Sequence, residues 1–300
     1  MVRWFSELVV LAIVASAAVL AEQARFASGT LGVHVDVLVT KGNVYVGGLT
    51  AADFELRDNG VLQSVEVIDP SDVPVNAVLA LDMSASTVGR KLADLIAASR
   101  ALLDGLKPAD RASLTTFNHA VAPRVPLTSD RAAIASTLKE IDPEGNTAVL
   151  DGIYVSLMTT QAEPGRSLVI VCSDGRDTAS WLEPDEVLES AKRSNAVIYA
   201  VAAGRARGWE GLKSVTDATG GQTIEIESSK DLAGHFRKIL DDFRSRYIVT
   251  FVPTGVAEGG FHRLDVRVKR GGVTVKARPG YIGKAPAQPV TPKLRSRGGG

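Results

Sequence analysis

Between positions 75 and 244, short, continuously apolar runs alternate with amphipathic stretches. Residues 76–81 precede an amphipathic 91–106, and 112–117 precede 130–141. The alternation continues with a helical pattern at 148–160, an apolar run at 167–172, and a helix at 183–193. Further runs at 196–201 and 222–226 alternate with amphipathic 208–218 and 229–243. Apolar strands separated by helices predict a mainly parallel sheet covered on both faces, an α/β doubly wound fold. Helix starts are marked by Thr128-Ser129-Asp130, by Glu183-Pro184 followed by acids, and by Ser228-Ser229.

The flanks have a different period. Residues 33–39 alternate apolar and polar, and 54–58 run through Asn59-Gly60, a strong hairpin signal, into 61–68. After the last helix come strand patterns at 247–252, 261–268 and 273–277, joined by Gly pairs. Neither flank has enough apolar faces to be stable alone. The two therefore predict one small antiparallel β module, 28–70 packing with 246–283, with the α/β domain (75–244) inserted between. Residues 284–300, rich in Pro, Gly and basic residues, read as a disordered tail.

At the other end, positions 8–21 are apolar apart from Ser16, and 22–25 turn polar. This pattern resembles a secretory signal peptide, with Val19 and Ala21 as the small residues before cleavage at Glu22, so 1–21 would be removed. The run is short for a bilayer span. An uncleaved N-terminal anchor is the alternative and the one route to a membrane. Either way, the folded part is expected outside the cytoplasm, secreted, periplasmic or extracellular.

Composition narrows the chemistry. The 300 residues carry 34 basic and 34 acidic side chains, which removes the electrostatic case for nucleic acid or an anionic membrane. With 45% hydrophobic residues, the chain is globular. Cys172 is the sole cysteine, so neither a disulfide framework nor a multi-cysteine metal site is available. His34, His119, His235 and His262 lack metal-ligand spacing. No nucleophile elbow, P-loop or dinucleotide fingerprint follows a predicted strand.

What remains is the end of the first core strand. Residues 78–81 run into Asp82-Met83-Ser84-Ala85-Ser86. Ligands of doubly wound sheets bind at the carboxyl ends of strands. One carboxylate and two hydroxyls from a single loop are hard oxygen ligands suited to Mg²⁺ or a similar divalent ion. Alone, the string also fits an ordinary helix-capping loop. Ser84 or Ser86 as a nucleophile would need a base, and the local sequence supplies none.

Two more segments supply partners: Gly145-Asn146-Thr147 opening a helix, and Ser173-Asp174-Gly175-Arg176-Asp177 at the end of another buried strand. At these residues the chain resembles the von Willebrand factor type A family and its metal-ion-dependent adhesion site. The resemblance covers about 75–244. The flanks, with Gly48-Leu49-Thr50-Ala51-Ala52-Asp53-Phe54 and Arg278-Pro279-Gly280-Tyr281, resemble the bacterial VWFA-related proteins of acidobacteria. The resemblance implies that Asp82, Ser84 and Ser86 hold the cation. Thr147 would join directly or through water, and Asp174 would act through water or from behind the direct ligands. It also implies Mg²⁺, with Mn²⁺ or Ca²⁺ as substitutes, and a protein partner offering an acidic residue to an open coordination position. The expected function is non-enzymatic adhesion or assembly. The alternatives are an enzyme-associated subunit, a metal-assisted hydrolase, or a structural envelope protein with a vestigial site. Ala85 stands where the family usually has Gly, which is expected to restrict the loop backbone.

Overall fold

The computed structural model describes residues 32–161, 165–173, 176–203 and 210–283. The expected signal segment 1–21, the tail 284–300 and Asp174 lie outside the described residues. In chain order the elements begin with strands β1 (Val33–Lys41), β2 (Val44–Tyr45), β3 (Phe54–Asp58), β4 (Val61–Gln63), β5 (Val65–Ile68) and β6 (Val75–Asp82). Helix α1 (Arg90–Gly105) is followed by β7 (Arg111–Phe117), β8 (Val121–Thr128), α2 (Arg131–Thr137), α3 (Val149–Gln161) and β9 (Arg166–Ser173). Then come α4 (Pro184–Arg193), β10 (Val197–Ala203), α5 (Glu210–Ala218), β11 (Gln222–Ile226) and α6 (Leu232–Arg244). The chain ends in β12 (Tyr247–Phe251), β13 (Gly260–Val268), β14 (Thr274–Lys276) and β15 (Gly280–Gly283).

The six-stranded sheet has the order β11-β10-β9-β6-β7-β8, parallel except for β8. Every residue of β6 is buried, as expected for a central strand covered on both faces. Its odd-numbered positions Ala77, Leu79 and Leu81 join Leu114, Ile170 and Tyr199 under Leu102 of α1 and Phe236 and Phe243 of α6. Its even-numbered positions Val78 and Ala80 join Val169, Val171 and Ile198 under Ile153 and Leu157 of α3 and Val187 of α4. This two-sided burial is why the strands read as unbroken apolar runs. The expected doubly wound, mainly parallel architecture is the one observed.

Three local expectations need correction. The antiparallel edge strand β8, which carries Pro123 and Pro126, is not among the elements the sequence pattern predicts. A strand that pairs on one side only tolerates proline, and its register with β7 is irregular around Leu114. The helix expected to reach residue 141 stops at Thr137. The run 61–68 is two strands in different sheets, because the chain changes sheet at Ser64. Gln63 fixes that corner: its Nε2 donates to the Thr254 carbonyl (3.0 Å), and its Oε1 accepts from Thr254 N–H (2.9 Å).

The flanks form two sheets, β14-β1-β12-β5 with β2 beside β1, and β15-β13-β3-β4. β1 pairs antiparallel with β12, and β3 with β13, so each sheet combines strands from both ends of the chain. Val35, Val37, Leu56, Val249 and Phe251 fill the space between them. The Asn59-Gly60 hairpin adopts positive φ at both turn positions (47° and 86°), as a two-residue turn of matching twist requires. Within this core Asp58, fully buried, takes hydrogen bonds from Tyr281 Oη (2.7 Å) and His262 Nδ1 (2.9 Å).

Three buried arginines join the β sheets to the α/β layer. Arg166 donates through Nε to Asp36 Oδ1 (2.9 Å) and through Nη2 to the same oxygen and to the Phe243 carbonyl (2.9 Å). Arg246, fully buried, donates to Tyr199 Oη (2.9 Å) and to the Gly220 carbonyl (2.8 Å). Arg278 donates to the Lys192 and Ser194 carbonyls at the end of α4 (2.7 and 2.8 Å), where the helix dipole favours a cation. Burial pushes that guanidinium down to about 10, and it stays charged at neutral pH.

Candidate metal centre

After β6 the crossovers change direction: α1 leads to β7 on one side, while β9 pairs with the other edge of β6. The crevice between the carboxyl ends of β6 and β9 is the switch point at which doubly wound sheets bind ligands. Asp82 is the last residue of β6 and Ser173 the last of β9. Ser173 Oγ donates to Asp82 Oδ2, and Ser84 N–H donates to Asp82 Oδ1 (2.8 Å). Asp82 and Ser84 are buried, while Ser86 is exposed at the mouth of the loop.

The Oγ atoms of Ser84 and Ser86 stand 3.0 Å apart. Adjacent ligands of an octahedral Mg²⁺, each about 2.1 Å from the ion, are about 3 Å apart, so the spacing of these hydroxyls fits one edge of such a shell. Thr87 N–H closes the turn onto the Ser84 carbonyl (2.9 Å). Ala85 does not adopt the left-handed backbone conformation, so the expected restriction from its methyl group introduces no strain.

Thr147 is brought to this loop by the segment before α3. Met83 and Ala85 bond through their backbones to Glu144 (2.9 Å) and Gly145 (3.0 Å). Gly145 sits at φ +71°, which favours glycine, and a Cβ there would lie 2.3 Å from Nδ1 of the exposed His119, which would have to turn aside. Thr147 is itself buried. Its N–H donates to Thr178 Oγ1 (3.1 Å), and its carbonyl accepts from the N–H groups of Thr178 (2.8 Å) and Ala179 (3.0 Å).

The structure therefore brings the segments carrying Asp82, Ser84, Ser86 and Thr147 to one crevice. Ser173, Thr178 and Asp177, which organise the loops, had no assigned role in the sequence reading. Asp177 accepts from Leu150 N–H (2.9 Å) and from the N–H and Oγ of Ser180 (3.0 and 2.6 Å). The one cue to it was its place in the strand-end segment after Asp174. Among the described residues no group of three or more His, Cys, Asp or Glu converges as a metal site. The donor set at this crevice is instead dominated by hydroxyls. Beside it lies a hollow of about 280 Å³ lined by Met83, Phe117, His119, Arg124 and Glu144.

A doubly wound sheet whose central strand ends in an oxygen-rich loop at the switch point defines an α/β domain of the open-sheet class. Residues 76–243 match the family model of the von Willebrand factor type A domain, and the chain belongs to that family. Such domains commonly mediate metal-dependent protein binding and are mainly non-enzymatic. Inter-alpha-trypsin inhibitor heavy chain H2 of Sus scrofa is 27% identical over 192 residues, 59% of this chain and 20% of that protein. The chain thus spans about a fifth of the length of the curated relatives it matches. A von Willebrand factor type A structure from Catenulispora acidiphila aligns with a TM-score of 0.52 at 14% identity, covering 85% of this chain and 75% of that one. Proximal thread matrix protein 1 from the mussel byssus, in a structure with a zinc-occupied MIDAS motif, aligns with a TM-score of 0.52 at 15% identity. That alignment covers 62% of this chain and 49% of that one.

Proposed function

We propose that this protein is an exported, non-enzymatic binding module. Its type A domain, inserted in the β module, presents a divalent cation to an acidic residue of a protein partner in adhesion or assembly. The observation that carries this reading is the 3.0 Å pair of Ser84 and Ser86 hydroxyls beside the buried Asp82 carboxylate at the switch point. Asp82, Ser84, Ser86 and Thr147 would hold the ion, with Asp174, outside the described residues, behind them. Mg²⁺ suits this hard-oxygen set, with Mn²⁺ or Ca²⁺ as substitutes. Few carboxylates face the ion, so its charge stays incompletely neutralised, and an anionic oxygen from a partner completes it.

Export follows from the apolar segment before Glu22. Among the described residues no helix is long and apolar enough to cross a membrane. Thermal unfolding in EDTA and across a Mg²⁺ series tests the metal reading. A ligand at 100 times its Kd stabilises the folded state by about 2.7 kcal/mol, roughly 5–10 °C for a chain of this size. Asp82→Ala removes that response. Equal midpoints in EDTA and saturating Mg²⁺ would overturn the reading.

A further inference from the structure

A narrow hollow of about 20 Å³ lies at the end of β6, on the face that α1 and α6 cover. It is lined by Asp82, Cys172 and Ser173 from the strand ends, by Lys91 and Leu95 of α1, and by Leu232 of α6. Its described lining includes one acid, Asp82, and one base, Lys91. A hollow of that size holds about one water-sized group, and a lysine ammonium is such a group.

Both charges are costly where they stand. Asp82 is 1% exposed, and the donors it takes, Ser84 N–H and Ser173 Oγ, are neutral. A buried carboxylate is stabilised by a nearby positive charge as well as by hydrogen bonds. Lys91 sits in the first turn of α1, which holds no acid and has no side-chain cap, so it stands at the positive end of the helix dipole. Its neighbour Arg90 reaches Asp94 (3.8 Å), and Ser229 Oγ donates to the same carboxylate (2.6 Å). Leu95, Cys172 and Leu232 make part of the hollow's wall apolar, where unlike charges attract more strongly than at a wetted surface.

We infer that Lys91 is the tethered counter-cation of Asp82. Its ammonium occupies the hollow when no divalent ion is bound and withdraws to solvent along its exposed stem when one is. A divalent ion then competes with a positive charge built into the chain, so Lys91 lowers the affinity of the site and stabilises the loop without the ion. The face presents its cation only where divalent ions are plentiful. The inference rests on the metal-site reading above.

Calorimetric titration of Mg²⁺ into the full chain, together with thermal unfolding in EDTA, tests it on Lys91→Met and Lys91→Gln. Arg90→Met controls for positive charge in the same helical turn. Removing the Lys91 charge should tighten Mg²⁺ binding roughly tenfold, the scale set by a unit charge near a doubly charged ion. The same variants should unfold about 2–4 °C lower in EDTA. Arg90 is 72% exposed and screened, so Arg90→Met should change Mg²⁺ affinity less than about twofold. A lysine that only helps to begin α1 would lower the midpoint without tightening Mg²⁺ binding. Mg²⁺ bound by the Lys91 variants but not by the parent would support the inference. Unchanged or weaker Mg²⁺ binding in both Lys91 variants, a midpoint in EDTA no lower than the parent's, or equal tightening in Arg90→Met overturns it. In each of those cases the metal reading stands if Asp82→Ala abolishes the parent's Mg²⁺ response. If neither the parent nor the Lys91 variants bind Mg²⁺, both readings fall.

Discussion

Replacing Asp36 by alanine tests whether the arginines between the β sheets and the α/β layer are structural ties. The Arg166 side chain is 2% exposed and the Asp36 side chain 14% exposed. Without the carboxylate, Arg166 keeps its bonds to the carbonyls of Phe243 and Arg246 but has lost its counter-charge. Removing one partner of a buried ion pair costs about 3–5 kcal/mol. The lower end applies here because two carbonyls remain and Asp36 is not wholly buried. The expected loss is about 3 kcal/mol, roughly 6–12 °C in midpoint. Urea unfolding at pH 7.5 measures it, with Arg166→Met and the Asp36→Ala/Arg166→Met double variant completing a cycle. The double variant should lose much less than the sum of the singles, since it leaves no isolated charge. A loss below about 1 kcal/mol for Asp36→Ala, or additive singles, would refute the reasoning.

Gly145→Ala should destabilise the protein by about 1–3 kcal/mol in thermal unfolding, since a methyl group there strains a φ of +71° and strikes His119. It should also weaken the Mg²⁺ response, because Gly145 supports the Asp82 loop through Ala85. Stability should fall on both sides of neutral pH. Burial holds His34 below its ordinary 6.5 against the opposing charge of Asp36, so its contribution is present above 6.5 and is lost as pH drops toward the lowered value. Chemical denaturation between pH 5 and 7 should show this slope in the parent and a shallower one in His34→Gln. Tyr45 and Tyr281 are raised above 10.0, first by burial and then by Asp242 and Asp58 respectively, so their contribution is present below pH 10 and lost above it. Tyr281→Phe should remove part of the alkaline loss.

The α/β layer was legible because burial on two faces leaves continuous apolar runs such as 76–81 and 167–172, and because Asp130 and Glu183 begin helices as their types suggest. β8 was hidden by two prolines that only an edge position tolerates. The sheet change at Ser64 was hidden because no Gly or Pro breaks the chain between Val61 and Ile68. Asp82, Ser84 and Ser86 could be read together because one short loop supplies all three. Thr147 came from resemblance, since nothing local to it names a ligand. Ser173, Thr178 and Asp177 were silent for a different reason: their hydrogen-bond partners lie 91, 31 and 27 residues away along the chain. The same holds for Arg166, whose carboxylate partner is 130 residues distant.

The most direct test of the central claim is anomalous diffraction from crystals grown with Mn²⁺ in place of Mg²⁺. The account predicts one dominant peak beside the Oγ atoms of Ser84 and Ser86, close to the Asp82 carboxylate, and no peak there in Asp82→Ala. Mn²⁺ bound only elsewhere, or a well-ordered loop at residues 82–87 with no anomalous peak at saturating Mn²⁺, would contradict it.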